Sequence, residues 1–166
     1  QKPAAAVVLL QPRGAVLAIQ ADRQRVDARL RRAGVASQRR VAWFALDAAA
    51  IPSDGVATCH VRDGHLLLRH AGVLHDLGAV AAMPLTLDGH ARYNIANLAA
   101  AALAATAMGI PAQAIANTCT TFGTAPEDNE GRMHRCQLGG VEVVIDYANN
   151  ADGLQQVLQA ADTARG

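Results

Sequence analysis

Residues 91–111, ARYNIANLAAAALAATAMGIP, constrain this chain more than any other stretch. Alanine gives up no side-chain entropy in a helix and is its best former. The spacing therefore predicts a helix over residues 90–108. Gly109 closes it as a cap, Pro111 opens the next segment, and a second helix is expected over 112–122. Helices with so little side-chain bulk can approach each other, or a sheet, closely. Aromatic residues are 3% of the 166-residue chain. The core must therefore be built from Ala, Val, Leu and Ile, and the length suits one domain core, or somewhat more.

The sheet comes from the first half. AAAVVLL and GAVLAI are apolar runs separated by Pro12, Arg13 and Gly14, and read as buried strands. A helix is expected from Asp22, its N-cap, to Ala33. Val26 and Leu30 lie four apart and Gly34 ends it. RVAWFAL is a third strand, and the strand–helix–strand order predicts a parallel α/β layer. Then ATCHVRDGHLLLRH sets Asp63-Gly64 between two β-type runs, the signal of a two-residue hairpin with positive φ at both turn positions. VLHDLGAV adds a further strand. His60, His65, His70 and His75 recur every five residues, a period that fits neither one helix face nor one strand face. They read as partly exposed strand histidines, with a metal site as the alternative, and no metal ligand is assigned among them.

Residues 123–131, GTAPEDNEG, form an acidic loop and the best linker candidate. A strand near 133–138, a Gly139-Gly140 turn, a strand at 141–145 and a helix at 151–163 follow. This piece cannot bury both faces of its sheet. The fold class is α/β.

Charge narrows the function. Residues 1–40 carry nine Lys or Arg against two Asp, whereas the remainder carries six against twelve. Arg23, Arg25, Arg29, Arg31 and Arg32 read as a solvated helix face, with a phosphate patch as the alternative. Without interleaved aromatics, single-stranded nucleic acid is not an expected partner. No uncharged apolar stretch reaches the roughly 18 residues of a membrane span. Cys59, Cys119 and Cys136 are too widely spaced for a zinc motif or a disulfide scaffold, so the reduced cytoplasm is the expected compartment. Of the 15 basic side chains only Lys2 is a lysine, so chemistry needing an internal lysine is absent from this stretch.

Three groups in fixed order suggest a nucleotide. Asn94 and Asn97, one turn apart, share a helix face, and an amide offers the paired donor and acceptor that an adenine edge requires. Arg132 follows a Gly turn in NEGR and suits a phosphate. Asp146 ends the strand of VVIDYANN and could accept from two ribose hydroxyls. Each has a plainer alternative. The asparagines could cross-link loops, Arg132 could pair with Glu127, Asp128 or Glu130, and Asp146 could cap the last helix, with Asn149 and Asn150 as rival caps.

Taken together, these motifs resemble the Mur ligase superfamily, most of all the ligase half of the cyanophycin synthetases, with folylpolyglutamate synthetases and peptidoglycan ligases as relatives. GAVLAIQAD is similar to the family's strand ending Leu-Asn-Ala-Asp-Asp. MPLTLDGHARYNIANLAAAALAATAMGIPAQAI resembles its Asn-x-x-Asn helix, NEGR its Asn-Pro-Gly-Arg, and IDYANNADGL its Asp-Tyr-Ala-His-Asn-Pro-x-x-Leu. The resemblance implies ATP-dependent joining of a carboxylate to an amine through an acyl phosphate, on an amino-acid or peptide substrate. It implies that Asn97 meets adenine with Asn94 beside it, Arg132 the phosphates and Asp146 the ribose. Asp22 would match an acidic position near the nucleotide, and Asn150 the family's Asn. It implies a central ATPase domain over 1–122, a linker over 123–131 and the start of a C-terminal domain over 132–166.

The phosphate loop G-x-x-x-x-G-K-[ST] is not found in these residues, and by resemblance it and the magnesium ligands would lie upstream of Gln1. ATP and Mg2+ are therefore expected of the parent enzyme, and neither is expected to bind strongly to residues 1–166 alone. Asn149 stands where the family has His, and Glu130 where it has Pro. The alternatives are a non-catalytic nucleotide- or protein-binding module and a folylpolyglutamate- or peptidoglycan-type ligase. An incomplete sheet would leave apolar surface, so self-association is expected.

Overall fold

The computed structural model describes residues 6–9, 16–20, 40–51, 55–131, 134–148 and 151–163. The helix expected over 22–33, with Asp22 and the arginines around it, lies outside the described residues, as do Arg132, Asn149 and Asn150.

Six strands form one sheet in sequence order: β1 (Ala6–Leu9), β2 (Val16–Gln20), β3 (Arg40–Ala45), β4 (Ala57–Arg62), β5 (His65–His70) and β6 (Val73–Ala79). The expected parallel layer holds for β2, β3 and β4, which pair in parallel. The sheet as a whole is mixed, with antiparallel pairs on both sides of them. β1 pairs antiparallel with β2, and β4, β5 and β6 form an antiparallel meander. Connection length explains the difference, because a short link permits only an antiparallel return and a parallel one needs a long crossover. The hairpin turn forms as expected, with Asp63 at φ 50 and Gly64 at φ 76.

Two helices cover one face of this sheet. α1 (Arg92–Ala107) lies across β2 to β5, and α2 (Ala112–Thr121) lies against β6. Alternation along the strands sends Ala42, Phe44, Ala57, Cys59, Leu66, Leu68 and Leu77 inward, onto Ile95, Ala99, Ala102, Leu103, Ile115 and Cys119 of the helices. Ala42 and Ala57 of the sheet and Ala99 and Ala102 of α1 belong to the same buried layer, so small residues make up part of it. Burial pushes the thiols of Cys59 and Cys119 upward, and Cys119 adds to the effect on Cys59. Both behave as apolar core residues. On the other face of the sheet Trp43 lies beside Thr58 and is 2% exposed.

The chain then runs through a 3₁₀ turn, Pro126–Asn129, where the Asp128 carboxylate accepts from the backbone N–H of Gly123 at 2.9 Å and of Ala125 at 3.1 Å. β7 (His134–Leu138) and β8 (Val141–Ile145) form a separate antiparallel pair, and α3 (Ala151–Thr163) follows. No described helix is long and apolar enough to cross a membrane.

Candidate functional site

The first two turns of α1 carry the two asparagines, and they are not equivalent. Asn94 is buried, with 9% of its surface exposed. Its Nδ2 donates to the Leu85 carbonyl at 2.8 Å, and its Oδ1 accepts from Asn97 Nδ2 at 3.3 Å. The Asn94 amide thus bridges α1 to the preceding loop, as the cross-linking alternative expected, while it also orients its neighbour. Asn97 is exposed. Its carbonyl and its second N–H are the edge that this helix turn offers to solvent or to a ligand.

The segment leading into α1 is pinned from two sides. Thr86 is fully buried, and its hydroxyl donates to Met83 O at 2.8 Å and accepts from Gly89 N at 3.1 Å. Ala91, the N-cap, is also fully buried, with Leu87, Tyr93, Val144 and Val157 packed around it. Val144 belongs to β8 and Val157 to α3. The helix start that carries Asn94 and Asn97 therefore touches the strand that ends at Asp146.

Asp146 is half-buried just beyond β8. Its chain neighbour Tyr147 donates its backbone N–H to the Gly131 carbonyl at 2.9 Å, and the Tyr147 ring lies over Gly131. A Cβ placed on Gly131 would collide with the Tyr147 ring, and Gly131 has φ +69. Only glycine meets both conditions without strain. Arg132 follows Gly131 directly, so the chain positions flanking Arg132 and Asp146 are tied by one backbone hydrogen bond. The sequence signalled Gly131 only as part of a turn, and nothing in it announced the ring over it.

An exposed amide on α1, a carboxylate at a strand end and an exposed tyrosine ring beside it are groups of the kind that a nucleoside engages. Among the described residues no three His, Cys, Asp or Glu side chains converge as the ligands of an ion would.

A second polar cluster lies on the outer face of the six-stranded sheet. Thr58 Oγ1 and His60 Nδ1 are buried atoms without a hydrogen-bond partner among the described residues. Burial lowers the His60 pKa, and the positive charges of Arg62 and Arg69 lower it further. His65 Nδ1 meets Asp76 Oδ2 at 2.8 Å. The Asp76 carboxyl is held below its usual range, first by the Gly78 N–H and then by His65.

No protein-family model matches this chain. It is 29% identical over 127 residues, 71% of its length, to cyanophycin synthetase from a Synechocystis species. It is 31% identical over 107 residues, 64% of its length, to cyanophycin synthetase from Trichormus variabilis. A UDP-N-acetylmuramoyl-L-alanyl-D-glutamate–2,6-diaminopimelate ligase from Gloeobacter violaceus is 41% identical over 71 residues, 42% of the chain. The matched segments span 14%, 12% and 14% of those proteins.

Proposed function

The chain is a relative of the Mur ligase superfamily, and on that premise we propose that it is part of a cytoplasmic ATP-dependent ligase joining an amino acid or peptide by an amide bond. Cyanophycin synthetases match more of the chain than the peptidoglycan ligase does, 71% and 64% against 42%, which supports an activity of the cyanophycin type. In this reading residues 1–122 close a central ATPase domain, 123–131 link it onward and 132–166 begin a C-terminal domain. The Asp128 bonds to Gly123 and Ala125 would hold the linker's first turn.

The observations that support the reading are the packing of Val144 on Ala91, at the start of the helix that carries Asn97, and the hydrogen bond from Tyr147, next to Asp146, to Gly131. Asn97 reads the adenine edge, and Asn94 holds it in place from behind. Asp146 accepts from the ribose hydroxyls, and Arg132, next to Gly131, meets phosphate. Asp22 and Asn150 are assigned to the same nucleotide by resemblance alone. When bound, ATP supplies the phosphoryl group that converts a carboxylate to an acyl phosphate, open to attack by an amine. The chain's own part in this is to bind and orient the nucleotide.

The test is an NMR titration of residues 1–166 with ATP. Amide shifts are expected in residues 92–97 and 145–148, and Asn97→Ala and Asp146→Ala should each weaken binding at least tenfold. Unchanged affinity in both variants overturns the assignment. Little or no ATP hydrolysis is expected from these residues alone, and robust magnesium-dependent turnover would overturn that. Self-association through the exposed side of β7 and β8 is tested by light scattering, and a monomer at every concentration counts against it.

A further inference from the structure

The strand register divides the four regularly spaced histidines into two pairs. His60 opposite Leu67 and Arg62 opposite His65 put His60 and His65 on the outer face of the sheet. Leu68 opposite His75 and His70 opposite Val73 put His70 and His75 on the inner face, with Leu66 and Leu68. There they are diagonal neighbours across β5 and β6. Such positions lie roughly 7–8 Å apart along the backbone, within reach of long side chains. Both line one cavity of about 180 Å³ between the meander and the α1–α2 connection, with Thr106, Gly109 and Pro111 on its far wall.

Two further observations bear on what the cavity takes. His65 is engaged by Asp76, but neither His70 nor His75 makes a hydrogen bond or ion pair among the described residues. The cavity also adjoins the C-terminal end of α1, whose last turn carries no basic side chain. That end bears the negative pole of the helix, which favours a cation. Half-buried imidazoles with both ring nitrogens uncommitted are ligands for borderline divalent ions, whereas Mg2+ and Ca2+ prefer oxygen.

We propose that His70 and His75 form a two-imidazole site for a divalent transition-metal ion of the zinc or copper class. No third His, Cys, Asp or Glu joins them among the described residues, so water completes the coordination and the affinity is moderate. The ion bridges β5 to β6 beside the α1–α2 connection and stabilises the meander by mass action. α1 is 16 residues long, about 24 Å at 1.5 Å per residue. This site is at its C-terminal end and Asn97 is near its N-terminal end, so the proposal does not depend on the ligase reading.

Calorimetric titration of residues 1–166 with Zn2+ tests it, with Mg2+ as the control ion. One Zn2+ per chain is expected. His70→Ala and His75→Ala should each weaken binding at least tenfold, and His65→Ala, on the opposite face, should leave it unchanged. The electron paramagnetic resonance spectrum of the wild-type chain with one equivalent of Cu2+ should show two coordinated nitrogens. It settles the matter even where an alanine variant does not fold. Absence of Zn2+ binding, unchanged affinity in both variants, or a copper spectrum with fewer than two nitrogens overturns the site.

Discussion

In the six-stranded sheet, Cys59, Leu66 and Leu68 are at most 1% exposed; in the two-stranded sheet, Leu138, Val141 and Ile145 are 73%, 63% and 50% exposed. The two groups are the same kind of residue on the same kind of strand. What differs is the number of layers. The larger sheet has α1 and α2 across one face, and its strands cover one another's edges. In the smaller one, Val144 points to the side that meets Ala91 and Val157, while Leu138, Val141 and Ile145 point to the opposite side. α3, on the Val144 side, carries two further exposed leucines, Leu154 and Leu158. A two-stranded sheet with one helix is marginal unless more structure packs on it. The candidate nucleotide site joins these unequal parts, with its amides on the firm part and its carboxylate on the weak one.

The sharpest break of this comparison is a pair of truncations. Leu66→Ala should cost about 2–5 kcal/mol, because the side chain is fully enclosed. Leu154→Ala should change stability by less than about 0.5 kcal/mol. Urea unfolding followed by circular dichroism measures both, and equal losses would dissolve the contrast.

The two asparagines divide along the same line. Asn94→Ala leaves the Leu85 carbonyl without its donor and should cost about 1–3 kcal/mol. Asn97→Ala should be nearly neutral for stability and act on ligand affinity instead. Thermal unfolding of the two variants checks this, and a larger loss for Asn97 would reverse the roles assigned to them.

Gly131→Ala sharpens the view of the weaker part. The new Cβ must displace the Tyr147 ring, and the positive φ adds strain of about 1 kcal/mol. Amide exchange should accelerate in β7 and β8 and stay unchanged in β4 to β6. Uniform acceleration would mean that the two parts unfold as one.

The smallest effect is a pH dependence confined to the larger sheet. The His60 pKa is lowered in the folded state by burial and by Arg62 and Arg69, so the unfolded chain binds the proton more readily. Stability should be full above the unfolded value of about 6.5 and decline as pH falls below it, down to the folded pKa. His60→Gln should flatten that slope in unfolding experiments between pH 7 and pH 5. An unchanged slope would assign the dependence to another group.

Local chemistry was legible from the sequence. The Asp63-Gly64 turn depends on two residues that accept positive φ. The C-terminal end of α1 depends on Gly109-Ile110-Pro111, and β8 and α3 depend on patterns a few residues long. Each is decided by near neighbours, so a reader of the chain can find it. The likeness to the Mur ligases was legible too, because it is itself a sequence pattern. The tertiary structure alone decided which of Asn94 and Asn97 is buried, since that depends on where the Leu85 loop lies. It also decided that the Tyr147 ring covers Gly131, 16 positions earlier. The five-residue histidine spacing suited no single helix or strand face. Strand register, set by pairing between strands, divided it and brought His70 and His75 to one cavity.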